Sequence, residues 1–518
     1  MDLNVDYHVR LLEAITTGEV KDKLDLQRKK IQLCRELGLA TVPPNSETLA
    51  RADPETVKLV QLILRRKPVR TLSGVAVAAV MTSPAPCPHG RCIYCPGGVE
   101  NHSPQSYTGK EPAARRGASY DFDPFLQVSK RIEQLEAIGH PTDKIDLIIM
   151  GGTFTSRSLE YQDHFVKGCF DAMNEAASEN LEQAHLLNET APHRCIGMTV
   201  ETRPDSFSER MADHCMLLGT TRVEFGVQLL DDCILRAVGR GHGVKEIVQA
   251  TAVAKDRGLK VCYHIMPGLP GSSPELDVER FRLMFEDERF RPDMLKIYPT
   301  LVVKGTPLYE SWLKGDYSPY TTEQATEVVA SMKAMTPKYV RIQRIQRDIP
   351  APLIEAGVNK GHLRELVRAR MREQGIKCKC IRCHEVGLNH ITLEHVSEVG
   401  LVTERYRASG AEERFISFEI EGSMGLVGYA RLRLPDKDDV ARLRELKVFG
   451  QMAQLGKKEE HWQHRGFGKE LVAESERQAD TAGYRALSVT SGVGVRRYYL
   501  SQGYQRNGVY MTKELKAT

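Results

Sequence analysis

The sequence predicts an α/β protein in four successive parts. These are a helical basic N-terminal region over 1–74, a parallel (β/α) barrel over 75–375, complete or, as expected here, partial, a cysteine-rich linker over 376–395, and a second α/β domain over 396–518. Three observations carry this. First, seven short apolar runs recur with helical segments between them: Val75–Val80, Ile145–Met150, Ile196–Val200, Val223–Val227, Val261–Ile265, Leu295–Tyr298 and Val340–Ile345. Strand alternating with helix is the pattern of a parallel sheet closed or curled by its crossover helices. Second, 518 residues exceed what one ordinary core supports. Third, beyond about residue 395 the pattern changes to strands in close succession.

The N-terminal region reads as amphipathic helix, with Leu59, Ile63 and Leu64 on one face of a basic stretch. Lys58 to Arg70 holds five basic residues and no acid, and Lys338 to Arg382 holds twelve against four acids, although the net charge is only +4. Such clusters neutralise phosphates and make RNA a candidate partner, with solvated helix faces as the plainer alternative. The chain opens without a basic start and apolar core, no stretch reaches the roughly 18 apolar residues of a membrane span, and its 12 cysteines come with no secretory signal. A cytoplasmic protein is the expectation.

The first apolar run leads into Cys87-Pro-His-Gly-Arg-Cys92-Ile-Tyr-Cys95-Pro-Gly-Gly. Three thiolates leave one corner of a four-iron cluster without a protein ligand, and an open iron can bind a substrate or cofactor directly. In this the motif resembles the radical S-adenosylmethionine enzymes, although its first gap has four residues rather than the commoner three. A closed zinc clip completed by His89 or His102 is the competing reading. A disulfide with a spare thiol is disfavoured in a reducing compartment.

In such barrels chemistry gathers at the strand C-termini, and there the sequence becomes unusual. The second run ends in Gly151-Gly152, whose carbonyls can meet an ammonium or amide group. The third leads into Glu201 and Arg203, suited to a ribose or a carboxylate. The fourth leads into Gln228, and His264 precedes Pro267-Gly-Leu-Pro-Gly271. Ordinary turn chemistry explains each singly, but less readily all of them behind one cysteine triplet. A second group, Cys378, Cys380 and Cys383, has the short spacing of a zinc site, with His384, His390 or a distant histidine as fourth ligand. A second iron-sulfur cluster and unligated thiols are the alternatives. The other six cysteines, Cys34 and Cys262 among them, read as core.

In the last domain, strands are expected over Phe415–Ile420, Leu426–Leu434, Leu446–Phe449 and Ala486–Thr490, with a helix ending near Ala479. Gln463-x-x-Gly466-x-Gly468 before that helix offers backbone N–H groups to a pyrophosphate. Tyr499 stands four residues before Gly503-Tyr504. This resembles the GNAT acetyltransferases, in which that hydroxyl lies near the thioester sulfur, and Tyr499 would protonate or bind the thioester there. Packing of Tyr498 and Tyr499 against the sheet is the plainer alternative.

Taken together, these motifs resemble the family of the Elongator catalytic subunit in its stand-alone prokaryotic form. The resemblance rests on Arg70-Thr-Leu-Ser-Gly74, the cysteine run, Gln105-Ser-Tyr107-Thr-Gly109, Met150-Gly-Gly-Thr-Phe154, His264 to Gly271, Glu445-Leu446, Gln463 to Gly468 and Ser491 to Tyr499. It implies a radical S-adenosylmethionine barrel joined to a GNAT domain. It implies synthesis of 5-carboxymethyluridine at the tRNA wobble position from acetyl-CoA by a 5'-deoxyadenosyl radical. The cofactors implied are a 4Fe-4S cluster, S-adenosylmethionine and acetyl-CoA as substrate, to which the spacing of Cys378, Cys380 and Cys383 adds zinc. By position, Cys87, Cys92 and Cys95 would hold the cluster. Lys144, Glu445, Leu446, Lys447, Val448, Phe467, Gly468, Lys469 and Tyr499 would contact acetyl-CoA, with Lys144 and Tyr499 the catalytic candidates. The partners implied are a tRNA anticodon stem-loop and a small electron donor, with no membrane; a homodimer is left open. The rival readings are a protein lysine acetyltransferase with a structural iron-sulfur domain, and a tRNA-binding scaffold.

Overall fold

The computed structural model of the chain describes residues 3–65, 71, 73–389, 391, 393–422, 425–450 and 465–515. Helices Leu3–Thr16, Lys23–Glu36, Asn45–Ala50 and Pro54–Leu64 pack round a small core of Tyr7, Leu11, Leu26, Leu33, Leu49, Val60 and Leu64. Asp22 and Asp53 cap two of them by accepting backbone N–H groups, and Pro54 starts the last with no donor to lose. The apolar face differs from expectation. Leu59 is 67% exposed, and the buried pair is Val60 and Leu64, four apart on one stripe. Arg65 Nε donates to the Gly139 carbonyl at 2.8 Å and fastens this bundle to the next layer.

The seven apolar runs form one all-parallel sheet in chain order. Its strands are β1 (Ala76–Met81), β2 (Lys144–Met150), β3 (Arg194–Thr202), β4 (Arg222–Gln228), β5 (Lys260–Ile265), β6 (Met294–Ile297) and β7 (Arg341–Ile345). β1 and β7 are its edges, so the barrel is partial. In β2 the residues Ile145, Leu147 and Ile149 are buried while Asp146, Ile148 and Met150 are half-buried. This period of two puts one set under the outer helices and the other toward the lumen.

The C-terminal sheet is mixed. β8 (Val399–Ala408), β9 (Ala411–Ile420), β10 (Gly425–Pro435) and β11 (Val440–Val448) run as an antiparallel meander. β11 then pairs in parallel with β12 (Ala486–Val489), and β13 (Gln505–Asn507) and β14 (Tyr510–Glu514) complete the sheet. Helix Phe467–Thr481 packs across it, an arrangement compatible with a GNAT fold. β8 escapes the sequence reading because it is a largely solvated edge strand whose second half carries Glu404, Arg405 and Arg407. The first half of β11 escapes because Arg442 and Arg444 interrupt its apolar pattern.

Arg442 pairs with Asp438 at 2.8 Å, whereas Arg444 is explained by the junction between the sheets. Arg431, Arg433 and Arg444 are buried against Asp293, Glu413 and Lys255, a charge-paired seam between barrel and C-terminal sheet. The cysteine-rich segment spans the same junction: Ile381 N–H donates to the Val340 carbonyl at 2.9 Å, and Val386 N–H to Leu426 at 3.1 Å. Among the described residues no helix is long and apolar enough to cross a membrane.

Candidate active site

At the C-terminal end of the parallel strands lies a cavity of about 130 Å³ lined by Cys87, Tyr94, Tyr107, Gly152, Glu201, Arg203, Gln228 and Arg240, among others. The cysteine loop closes one side, and each of its sulfurs meets a polar partner. Cys87 Sγ lies 3.5 Å from Thr153 Oγ1, Gln105 Nε2 donates to Cys95 Sγ at 3.3 Å, and Cys92 Sγ lies 3.2 Å from His89 Nε2 and 3.6 Å from Arg240 Nη1. Such donors suit sulfurs that carry negative charge as metal ligands. His102, the other histidine of the zinc reading, is exposed.

The lumen of the partial barrel carries a connected set of polar and ionisable groups. Tyr107 donates its hydroxyl to Glu201 at 2.7 Å, and Lys296 Nζ lies 3.4 Å from the other Glu201 oxygen. Lys296 also pairs with Glu224, which accepts from His264 Nε2 at 2.8 Å. Burial by itself would raise the Glu224 carboxyl, but Lys296, His264 and Arg222 hold it well below the usual carboxylate range. Arg203 forks onto Asp205 at 3.0 and 2.7 Å, leaving its buried Nη1 without a hydrogen-bond partner. Gln228 takes a positive φ of 70° at the end of β4, and its buried Oε1 is likewise unpaired. These are groups held ready for a polar ligand.

Of the paired glycines, Gly152 lines the cavity. At Gly151 the φ of +133° and the 2.0 Å that would separate a Cβ from Thr82 Oγ1 require glycine. Glu224, Lys296 and Arg240 went unread in the sequence. The available signal was a charged residue flanked by apolar ones in Val223-Glu-Phe and Leu295-Lys-Ile, the pattern of a strand facing a polar lumen.

Lys144 lies elsewhere. It begins β2, whose other end reaches the cavity, and so occupies the opposite rim of the sheet, beside Asp143 at 3.7 Å and in register with Arg194. The C-terminal domain docks on this rim. A Cβ on Gly492 would lie 2.2 Å from the Ile196 carbonyl oxygen, and one on Gly494 2.6 Å from Arg194 Cβ, so both glycines permit close approach to β3.

The acetyl-CoA candidates gather in this domain. β11 pairs with β12 only over Val440–Leu443. The two strands then part, leaving one backbone edge of Glu445, Leu446, Lys447 and Val448 without a strand neighbour among the described residues. Helix Phe467–Thr481 begins after Gly466, so Phe467, Gly468 and Lys469 form its first turn, with the Lys469 N–H donating to the Gly466 carbonyl at 2.8 Å. The position of a Cβ on Gly468 lies 3.8 Å from Val448 Cγ2 and 3.1 Å from the Tyr498 hydroxyl, which brings strand end and helix start together. Glu445 is held by Arg431 at 2.8 Å. Tyr499 is buried edge-on to Tyr498 and Tyr504, and burial pushes its phenol up, so it stays protonated. Residues 451–464, which include Gln463, lie outside the described residues. A second cavity of about 250 Å³ joins Lys447 and Phe449 to Asp146 and Arg341 beneath the barrel.

The sulfurs of Cys378, Cys380 and Cys383 lie within 4.8 Å of one another. Thiolates about 2.3 Å from one tetrahedral ion are this close. Lys333 Nζ approaches Cys383 Sγ at 3.4 Å. His384 is not part of the convergent group and turns Nδ1 to the Cys380 carbonyl at 3.1 Å; His390 lies outside the described residues.

Comparison with known proteins agrees with this architecture. Residues 83–282 match the Radical SAM superfamily, 292–373 the Radical_SAM C-terminal domain and 9–72 the ELP3 N-terminal domain. The chain is 50% identical to a tRNA uridine(34) acetyltransferase of Methanocaldococcus infernus, over 98% of each chain. It is 41% identical to Elongator complex protein 3 of Homo sapiens over 98% of this chain and 96% of that one. The solved structure of Methanocaldococcus infernus Elp3 lacking residues 1–46 superposes with a TM-score of 0.76 at 46% identity, covering 85% of this chain and 99% of the other. Family membership implies a four-iron cluster and S-adenosylmethionine. With the cysteine loop over its cavity and this identity along nearly the whole length, the chain belongs to the Elongator protein 3 family of radical S-adenosylmethionine proteins.

Proposed function

We propose that this chain is a tRNA-modifying enzyme that builds 5-carboxymethyluridine at the wobble position from acetyl-CoA. The observation that supports the reading is one polypeptide holding a cavity beside the cysteine loop at one end of its barrel strands and, docked at the other end, a domain whose paired strands part. Relatives named tRNA uridine(34) acetyltransferase support the substrate. With Cys87, Cys92 and Cys95 as its ligands, the cluster together with S-adenosylmethionine supplies a radical able to take hydrogen from a methyl group.

The protein's own residues do the rest. Glu201, Arg203, Gln228 and Gly152 bind and orient S-adenosylmethionine, with Tyr107 and Lys296 fixing the Glu201 carboxylate. Glu445 to Val448 and Phe467 to Lys469 present backbone groups to the pantetheine and pyrophosphate of acetyl-CoA. Tyr499 donates its proton to the departing thiolate during thioester hydrolysis. Lys144 contacts acetyl-CoA from the barrel's rim.

The four regions 1–74, 75–375, 376–395 and 396–518 divide this work, with the tRNA across the basic surfaces and its anticodon base turned out of the stack. Zinc on Cys378, Cys380 and Cys383 pins the junction; elemental analysis distinguishes it from iron. The enzyme works in the cytoplasm with a small electron donor.

The test is anaerobic reduced protein with acetyl-CoA, S-adenosylmethionine and either tRNA or a lysine peptide. Carboxymethylated uridine is expected. Acetylated peptide with unmodified uridine contradicts the proposal.

A further inference from the structure

Arg240 stands where no strand-end motif directs attention, on the short segment after helix Asp232–Ala237. That segment is wedged beneath the cysteine loop. Ile93 N–H donates to the Val238 carbonyl at 3.1 Å, and a Cβ on Gly241 would lie 2.6 Å from His89 Cβ. Gly241, directly after Arg240, thus lets the backbone press against the loop.

The guanidinium, with its residue only 6% exposed, is fixed at three nitrogens. Nε and Nη2 both donate to the Gly226 carbonyl, at 3.2 and 2.6 Å, and Nη1 points to Cys92 Sγ at 3.6 Å. Gly226 makes this position available, because a Cβ there would lie 2.4 Å from Arg240 Nη2. Arg240 takes part in no carboxylate ion pair among the described residues. Its charge is a buried cation whose nearest sulfur is a cluster ligand.

We infer that Arg240 sets the reduction potential of the iron-sulfur cluster by presenting a fixed positive charge and an N–H donor to the Cys92 sulfur. Reduction adds one negative charge to the cluster, and a nearby cation in a low-dielectric setting stabilises that reduced state, as does a hydrogen bond to a ligand sulfur. The potential is therefore higher than it would be with a neutral side chain. Arg240 is a positioning residue in this account, acting on substrate only through the cluster. The inference rests on the cluster ligation proposed for Cys87, Cys92 and Cys95.

The experiment is a potentiometric titration of the anaerobically reconstituted full-length protein, read by electron paramagnetic resonance, with iron per chain measured beside it. Arg240→Gln is expected to retain iron and to shift the midpoint to lower potential. Arg240→Lys, which keeps the charge on a shorter reach, shifts it less. Gly226→Ala, which displaces the guanidinium without removing it, also lowers it. A midpoint for Arg240→Gln equal to that of the unaltered protein overturns the inference. Should Arg240→Gln bind no iron, Gly226→Ala decides: a lowered midpoint upholds the inference and an unchanged one overturns it. Unaltered protein without iron would instead fault the ligand assignment.

Discussion

Arg444 on β11 donates from two nitrogens to the two carboxylate oxygens of Asp293, at 2.9 and 2.5 Å, with both side chains fully buried. Asp293 immediately precedes β6, so this pair fastens the C-terminal sheet to the barrel floor. Lys255 and Arg431 flank the same carboxylate, and burial, which would raise it, is outweighed by these cations, which hold it well below its ordinary range.

Removing one partner of a buried pair leaves an uncompensated charge, at a cost of about 3 kcal/mol or more. Arg444→Met is therefore expected to lower the unfolding midpoint, and adding Asp293→Asn to recover part of the loss. Thermal unfolding of the two variants checks this; a neutral single variant would show that the seam carries no stability.

Backbone contact across the junction is equally demanding. A Cβ on Gly492 would meet the Ile196 carbonyl oxygen at 2.2 Å, and a backbone atom cannot rotate aside. Gly492→Ala is expected to destabilise the chain by about 1–3 kcal/mol, read by denaturant unfolding. Gly508→Ala is the control for a glycine with open space around it, although its positive φ adds some strain.

His185 sets an acid limb on stability. It packs against Phe170 with ring centroids 4.5 Å apart, and burial, aided by Arg496, pushes its pKa down to about 3. The unfolded chain, with a histidine near 6.5, binds more protons than the folded one between these values. Stability then falls as pH drops through 6.5 toward 3, by about 1.4 kcal/mol per unit for this residue. His185→Leu is expected to flatten that slope in pH-dependent unfolding; an unchanged slope assigns it to other groups.

Tyr499 is kept protonated by burial at the place where the acyl thioester is expected. A positioned acid contributes about 10²-fold or more, so Tyr499→Phe should slow tRNA-stimulated acetyl-CoA hydrolysis by that order while leaving the fold intact. An unchanged rate would reduce Tyr499 to packing among Tyr498 and Tyr504.

Much of this was legible in the sequence, for a physical reason. The strands of the partial barrel lie under helices on their outer face, so Ile145, Leu147 and Ile149 and their counterparts read as apolar runs. The loop of Cys87, Cys92 and Cys95 is contiguous, and spacing suffices to find it. What stayed hidden depends on partners distant in the chain. Arg240 acquires meaning from Cys92, 148 positions away, and Arg444 from Asp293, 151 away. β8 is a solvated edge whose exposed first half buries no apolar face and whose second half carries Glu404, Arg405 and Arg407. That Lys144 and the cavity lie at opposite ends of β2 was already implicit in the sequence, because Lys144 precedes the run Ile145–Met150 and Gly151-Gly152 follow it.

The central claim is that the acetyl methyl group is the carbon activated by the radical. Reduced protein given methyl-deuterated acetyl-CoA, S-adenosylmethionine and tRNA should yield deuterated 5'-deoxyadenosine together with carboxymethylated uridine, and neither in Cys92→Ser, which still binds tRNA. 5'-Deoxyadenosine free of deuterium alongside modified uridine would contradict the account.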